Sequence, residues 1–243
     1  MYLILAFAFI LPFRVSASPQ NPPANVEQYR WLYEVLFSEA DRLAQPAESF
    51  KSFYVHLLDS DQNFPEPKHI EKANLKLIEK IEGTITFVNV IKKRYVYDIL
   101  KKEDGTFVIN VRVHLKDPVG EDLKIFREKL KAAEDIWNAG RVTTDFKYIF
   151  KFELVESEAE SLYSVSVLDT TRGPYDRNWG RSWTATVIAH EVGHMMGLGD
   201  EYQTLSGQVD CLTTSLMCSS WSGSLMKHHY YFVLRRLIKS VAP

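Results

Sequence analysis

Cysteine is nearly missing from this 243-residue chain, which holds only Cys211 and Cys218. In an exported chain a pair this close is most simply a disulfide closing a short loop, Cys211 to Cys218. The competing reading is two free thiols or thiolate ligands, and thiolates would make a soft, closed metal site. Excess charge is missing too. Lys and Arg number 29 against 31 Asp and Glu, a formal net charge of -2. That balance gives no reason to expect nucleic acid or an acidic membrane surface as a partner. The apolar run Met1–Leu11 falls short of the roughly 20 residues needed to cross a bilayer. No Lys or Arg precedes it, an atypical feature for a leader.

What is present is ordinary globular material, 46% hydrophobic and 25% charged, enough for one large domain or two modest ones. Pro12 breaks the first apolar run, and Val15-Ser16-Ala17 offers small residues where a signal peptidase cuts. Residues 1–17 therefore read as a secretory signal, and the chain as secreted or periplasmic. A buried N-terminal strand or a membrane anchor are the alternatives.

The chemistry concentrates in the stretch from His190 to Tyr202. On a helix, His190 and His194 leave the same face one turn apart, so two imidazoles can reach one tetrahedral Zn²⁺. Glu191 points aside from the pair and can act as general base on water without filling a coordination position. Gly197 stops the helix, and the turn swings Asp200 back as a third, oxygen ligand. Three protein ligands leave a fourth position open, the mark of a catalytic zinc and not a structural one. Glu201 is the competing third ligand. The bland reading is two surface histidines beside a glutamate, and the added Gly197 and Asp200 weigh against it.

The pattern His190-Glu191-x-x-His194-x-x-Gly197-x-x-Asp200 resembles the metzincin clan of zinc endopeptidases, in the variant with an aspartate third ligand. Snapalysins show that variant, with a tyrosine two positions on, matched by Tyr202. The run from Gly197 to Tyr202 is also similar to bacterial immunoglobulin-A-type metallopeptidases, whose spacing to the second histidine is one residue longer. The resemblance covers His190 to the cysteine pair and is only architectural upstream. It implies a secreted zinc endopeptidase with one catalytic Zn²⁺ on His190, His194 and Asp200. Glu191 is then the base for a zinc-activated water, and Tyr202 a hydrogen-bond donor to the oxyanion or a packing residue. It also implies a methionine turn beneath the metal, at Met217 or alternatively Met226. The other class of function is a zinc-binding or interaction protein that keeps the site and cleaves nothing. Partners are then protein or peptide substrates, and the chain is a monomer with no stable membrane insertion once the signal is cut.

Along the chain, residues 18–23 read as extended and 26–44 as an amphipathic helix ended by Pro46. A second helix is expected over Lys68–Ile81, stopped by Gly83. A hairpin follows, Thr84–Val90 and Tyr95–Leu100 around Lys92-Lys93-Arg94, then a turn at Asp104-Gly105. Residues 18–104 are expected to form an N-terminal region, either a propeptide, an accessory module or an elaboration of the catalytic domain. A cysteine latch is excluded there for want of cysteine. Asp59 or Asp61 could serve as a carboxylate latch but read more simply as solvated turn residues. His56, His69 and His114 have no ligand spacing.

From residue 105 on, the catalytic domain is expected. Its elements are a strand over Thr106–Leu115 and a helix over Val119–Asn138, with Leu123, Phe126, Leu130, Ala133 and Trp137 inward and Gly140 past its end. Strands over Phe146–Val155 and Tyr163–Leu168 follow, then a loop and the zinc helix, capped by Ser182 or Thr184. The segment Asp176–Arg181 reads equally as a substrate-binding edge or an ordinary loop. A closing helix is expected over Met226–Lys239, with His228 and His229 in its first turn. The expected class is α/β (α+β), a twisted mixed sheet with a backing helix and an active-site helix, as the metzincin resemblance implies.

Overall fold

The computed structural model describes residues 71–72, 75–87, 91–169, 177–201 and 214–238. The signal, the helix over 26–44, His56, Asp59, Asp61, His69, Asp176, Tyr202 and Cys211 lie outside the described residues.

Among the described residues the framework is a mixed α+β arrangement built on one sheet of seven strands. The strands are β1 (Glu71–Lys72), β2 (Leu75–Phe87), β3 (Ile91–Lys102), β4 (Phe107–Lys116), β5 (Tyr148–Val155), β6 (Tyr163–Leu168) and β7 (Asn178–Gly180). Among the described residues three helices accompany them, α1 (Asp122–Ala139), α2 (Ala185–Met195) and α3 (Lys227–Leu234). The sheet runs β1-β2-β3-β4-β6-β7, with β5 on the far edge of β4. The first four strands pair antiparallel, and β4 pairs β5 and β6, and β6 pairs β7, all in parallel. One edge of β4 is shared, its first half pairing β3 from Phe107 to Asn110 and its last residues pairing β6 from Val113 to Lys116.

Of the helix expected over Lys68–Ile81, the described residues 71–72 and 75–81 lie instead in β1 and β2. Leu77 and Ile81 stand four apart, which imitates a helical stripe. A bulge between Leu77 and Glu79 shifts the register, and the two residues then face opposite sides of the sheet. Leu77 joins a small cluster with Leu100 and Val108, while Ile81 enters the main core beside Tyr97. The β-rich run Thr84-Ile85-Thr86 continues the same strand. The hairpin is present but longer than expected. Lys92, Lys93 and Arg94 lie inside β3, paired to Thr86, Ile85 and Thr84, and not in the turn. The strands β2 and β3, expected within the N-terminal region, thus share one sheet with β4, and Ile81, Tyr95, Tyr97 and Ile99 enter the main core.

Asp104-Gly105 turns as expected, with Gly105 at φ 85° and the Thr106 N–H donating to Asp104 Oδ1 at 2.9 Å. The helix α1 buries Phe126, Leu130, Ala133 and Trp137, but Leu123 is exposed and Asp122 takes the buried place in that turn. Asp122 accepts the Val119 N–H at 2.9 Å and a two-point contact from Arg181, Nε to Oδ1 at 2.8 Å and Nη2 to Oδ2 at 3.0 Å. A carboxylate so partnered tolerates burial that Leu123, one residue round the helix, is not offered. This contact ties the start of α1 to the segment entering α2.

Trp137 is the hinge pin of the core. Its ring packs on Phe150 at 4.8 Å, and its Nε1 donates to the Ala189 carbonyl in α2 at 3.1 Å. Tyr230 of α3 donates back to the Trp137 carbonyl at 3.0 Å. The outer edge of β5 is satisfied by side chains of α1. Asn138 accepts the Phe150 N–H and donates to the Phe150 carbonyl, both at 3.0 Å, and Glu134 Oε2 accepts the Phe152 N–H at 3.0 Å. Four helical residues and two strand residues both span about 6 Å, so the spacings match.

Asn138→Ala leaves the buried Phe150 N–H unsatisfied and is expected to cost about 1–3 kcal/mol, read from the urea midpoint. Arg181 holds the Asp122 carboxyl below its ordinary value. Its stabilising contribution is therefore complete above the unfolded-state pKa of about 4 and is lost as pH falls through the lowered folded value. Asp122→Asn should flatten the acid side of the stability profile, below the unfolded-state pKa of about 4.

Candidate metal centre

The helix α2 is short and almost wholly buried. Thr184 caps it, its side chain accepting the Val187 N–H at 3.4 Å, so of the two expected caps Thr184 takes the position. Val187, Ile188 and Val192 face the core as expected, and His190 and Glu191 are buried with them. The helix stops in a Schellman turn. Gly197 N–H donates to the His194 carbonyl and Leu198 N–H to the Gly193 carbonyl, both at 3.0 Å. Gly197 sits at φ 95°, and a Cβ there would lie 3.0 Å from the Tyr95 ring. Only glycine meets both demands without strain.

The turn brings Asp200 over the two histidines. His190 Nε2 and His194 Nε2 are 3.0 Å apart, and Asp200 Oδ1 lies 3.2 Å from each. A tetrahedron with bonds of 2.0–2.1 Å to zinc has edges of about 3.3 Å. The triangle therefore has the dimensions of one face of such a site.

The second ring nitrogens decide what these atoms can do. His190 Nδ1 lies 2.8 Å from the Leu216 carbonyl, and His194 Nδ1 lies 2.7 Å from the Leu198 carbonyl. A carbonyl only accepts, so each Nδ1 carries the proton and each neutral ring turns the Nε2 lone pair to the centre. Two such nitrogens and a carboxylate oxygen form a donor set suited to a metal cation. Burial opposes charge on His194, yet the Asp200 carboxylate outweighs it and pushes the ring up to about 9. Asp200 is held far below its ordinary value, against burial, by the two imidazoles. Burial raises the Glu191 carboxyl above the usual carboxylate range, against the pull of His194 and His190.

A segment distant in sequence closes the underside. Met217 is fully buried, and a Cβ on Gly193 would lie 2.9 Å from its sulfur, so the methionine needs the glycine between the two histidines. Met226, the alternative for this place, is instead the half-buried N-cap of α3. The adjacent carbonyls of Leu216 and Met217 take the His190 ring and the Glu201 N–H, the latter at 3.0 Å. Cys218 follows and is disulfide-bonded, and Cys211 is the only other cysteine in the chain.

Glu201 does not share the site of Asp200. It joins His228 and His229 in a second buried group, Oε1 lying 2.7 Å and 3.0 Å from their Nε2 atoms. The histidines occupy the first turn of α3 as the sequence suggested. Their carboxylate partner lies 27 residues upstream of His228, and no local pattern links residues so far apart. His114 on β4 stands away from both groups, its Nδ1 3.4 Å from the Val155 carbonyl. β7 pairs β6 and ends the sheet order among the described strands, with Trp179 buried.

No helix among the described residues is long and apolar enough to cross a membrane. Comparisons with protein-family models, curated proteins and solved structures give no match.

Gly197→Ala is expected to cost on the order of 1–2 kcal/mol from its left-handed backbone alone. It should also lower metal content, because the same turn places both Leu198 and Asp200. Urea unfolding together with metal analysis of the folded fraction checks both effects.

Proposed function

We propose that this chain is a secreted zinc endopeptidase of the metzincin type. The observation that carries the reading is the buried triangle of His190 Nε2, His194 Nε2 and Asp200 Oδ1, with the buried Glu191 on the same helix. The triangle fits zinc better than a harder cation, because two of its three donors are imidazole nitrogens. Its secretion rests on the leader-like first residues and on the cysteine pair.

In this reading His190, His194 and Asp200 hold the ion, and the carbonyls of Leu216 and Leu198 keep both rings in the ligating tautomer. Zinc, when bound, supplies Lewis acidity, polarising a carbonyl and bringing the pKa of water towards neutrality. Glu191 takes a proton from the attacking water on a carboxylate oxygen and delivers it to the departing amine nitrogen. Its buried setting raises its proton affinity, which suits a group that must both accept and release at moderate pH. Asp200 adds a negative charge that a third histidine would lack, tempering the Lewis acidity. An extended peptide is held along the sheet edge at β7, which leads directly into α2. Tyr202 is kept as the donor to the developing oxyanion, on the metzincin resemblance alone.

The test is zinc per chain and casein hydrolysis on protein lacking residues 1–17, before and after limited proteolysis. One zinc and chelator-sensitive cleavage are expected. Glu191→Gln should keep the zinc and lose about 100-fold or more of the turnover, whereas His190→Ala and His194→Ala should lose the zinc. Zinc without cleavage in either state would favour a non-catalytic zinc protein. A chain that takes up no zinc would refute the proposal.

A further inference from the structure

The group Glu201, His228 and His229 takes no part in the chemistry above, yet all three side chains are buried, the carboxylate only 4% exposed. Its composition suits either a second metal site or a hydrogen-bonded strut, and proton positions separate the two. The Met226 N–H donates to His229 Nδ1 at 2.9 Å. That Nδ1 therefore presents its lone pair, and the proton of the neutral ring sits on Nε2, aimed at Glu201 Oε1 3.0 Å away. A ring in that tautomer has no Nε2 lone pair for a cation. His190 and His194 are set the opposite way, each with Nδ1 donating to a carbonyl.

Glu201 is gripped on two sides. Its N–H donates to the Met217 carbonyl at 3.0 Å, beside the Leu216 carbonyl that holds His190. Its carboxylate meets His228 at 2.7 Å, a length typical of charge-assisted bonds. The residue covalently next to it is Asp200, whose Oδ1 completes the triangle.

We infer that Glu201, His228 and His229 form a metal-free strut that positions Asp200, so that α3 sets the metal affinity of the neighbouring centre. These are positioning residues, and the inference rests on the metal-centre reading.

The full chain lacking residues 1–17 would be titrated with cobalt(II), following visible absorption, alongside thermal unfolding of the metal-free protein. Wild type should bind one cobalt. Glu201→Gln and His228→Leu should bind about 10–100-fold more weakly, with altered band intensity as the carboxylate ligand loosens. His228→Gln keeps an N–H at similar reach and should return affinity and spectrum close to wild type. This His228 pair decides the matter even if Glu201→Gln fails to fold. Unchanged cobalt affinity and spectrum in His228→Leu, with only a lower unfolding temperature, would overturn the inference and leave the metal-centre reading intact. A second cobalt in wild type that His228→Leu abolishes would show the group to be a metal site and not a strut. No cobalt in wild type would overturn the metal-centre reading and this inference together.

Discussion

The carbonyls of Leu198 and Leu216 hold the ring protons of His194 and His190 on Nδ1, and the character of the whole centre depends on that placement. A helix can set two imidazoles one turn apart, but it cannot choose their tautomers. Each carbonyl is delivered by a turn outside the helix. Leu198 follows the glycine of the Schellman turn, and Leu216 sits in a loop whose backbone is bound at Leu216 N to Ser224 O, 2.8 Å, and at Ser224 N to Thr214 O, 2.7 Å. Donor character at the centre is thus made by two turns acting on one helix.

The surrounding architecture serves to hold those turns still. Tyr95, from the hairpin, packs its ring on Gly197 and takes a hydrogen bond from Arg235 Nη2 at 3.1 Å. Tyr163 accepts the Val96 N–H at 2.6 Å and donates to the Met195 carbonyl at 2.8 Å, bridging hairpin, central sheet and the end of α2. Tyr97 donates to the Val233 carbonyl in α3 at 2.8 Å. These phenols are polar groups inside the core that find partners only when hairpin, α2 and α3 are all in place. The hairpin belongs to the scaffold of the centre for that reason.

The two His-and-carboxylate groups share a composition and differ in where their protons point. Around Asp200 two lone pairs converge with the carboxylate, which suits a cation. Around Glu201 a backbone N–H occupies His229 Nδ1, and the ring proton is turned inward to the carboxylate. Residue type alone does not distinguish a ligand from a strut. The partner on the far side of the ring does.

Much of this was legible from sequence because it is local. The four-residue spacing of His190 and His194, the stop at Gly197, the Asp104-Gly105 turn and the apolar stripe of α1 follow from helix pitch and backbone sterics, which act over a few residues. Where a local pattern had two physical readings, it misled. Leu77 and Ile81 share a four-residue spacing with a helix face, and only pairing to β3 reveals the bulge that sends them to opposite sides. Leu123 fits the apolar stripe of α1, but the salt link from Arg181 draws Asp122 inward instead. What tertiary structure alone decided is which groups meet across the fold, Leu216 with His190, Met217 with Gly193, and Glu201 with His228 and His229. Those contacts join residues with no fixed spacing along the chain. Their geometry comes from the packing of α2 and α3 around one loop, which no local propensity encodes.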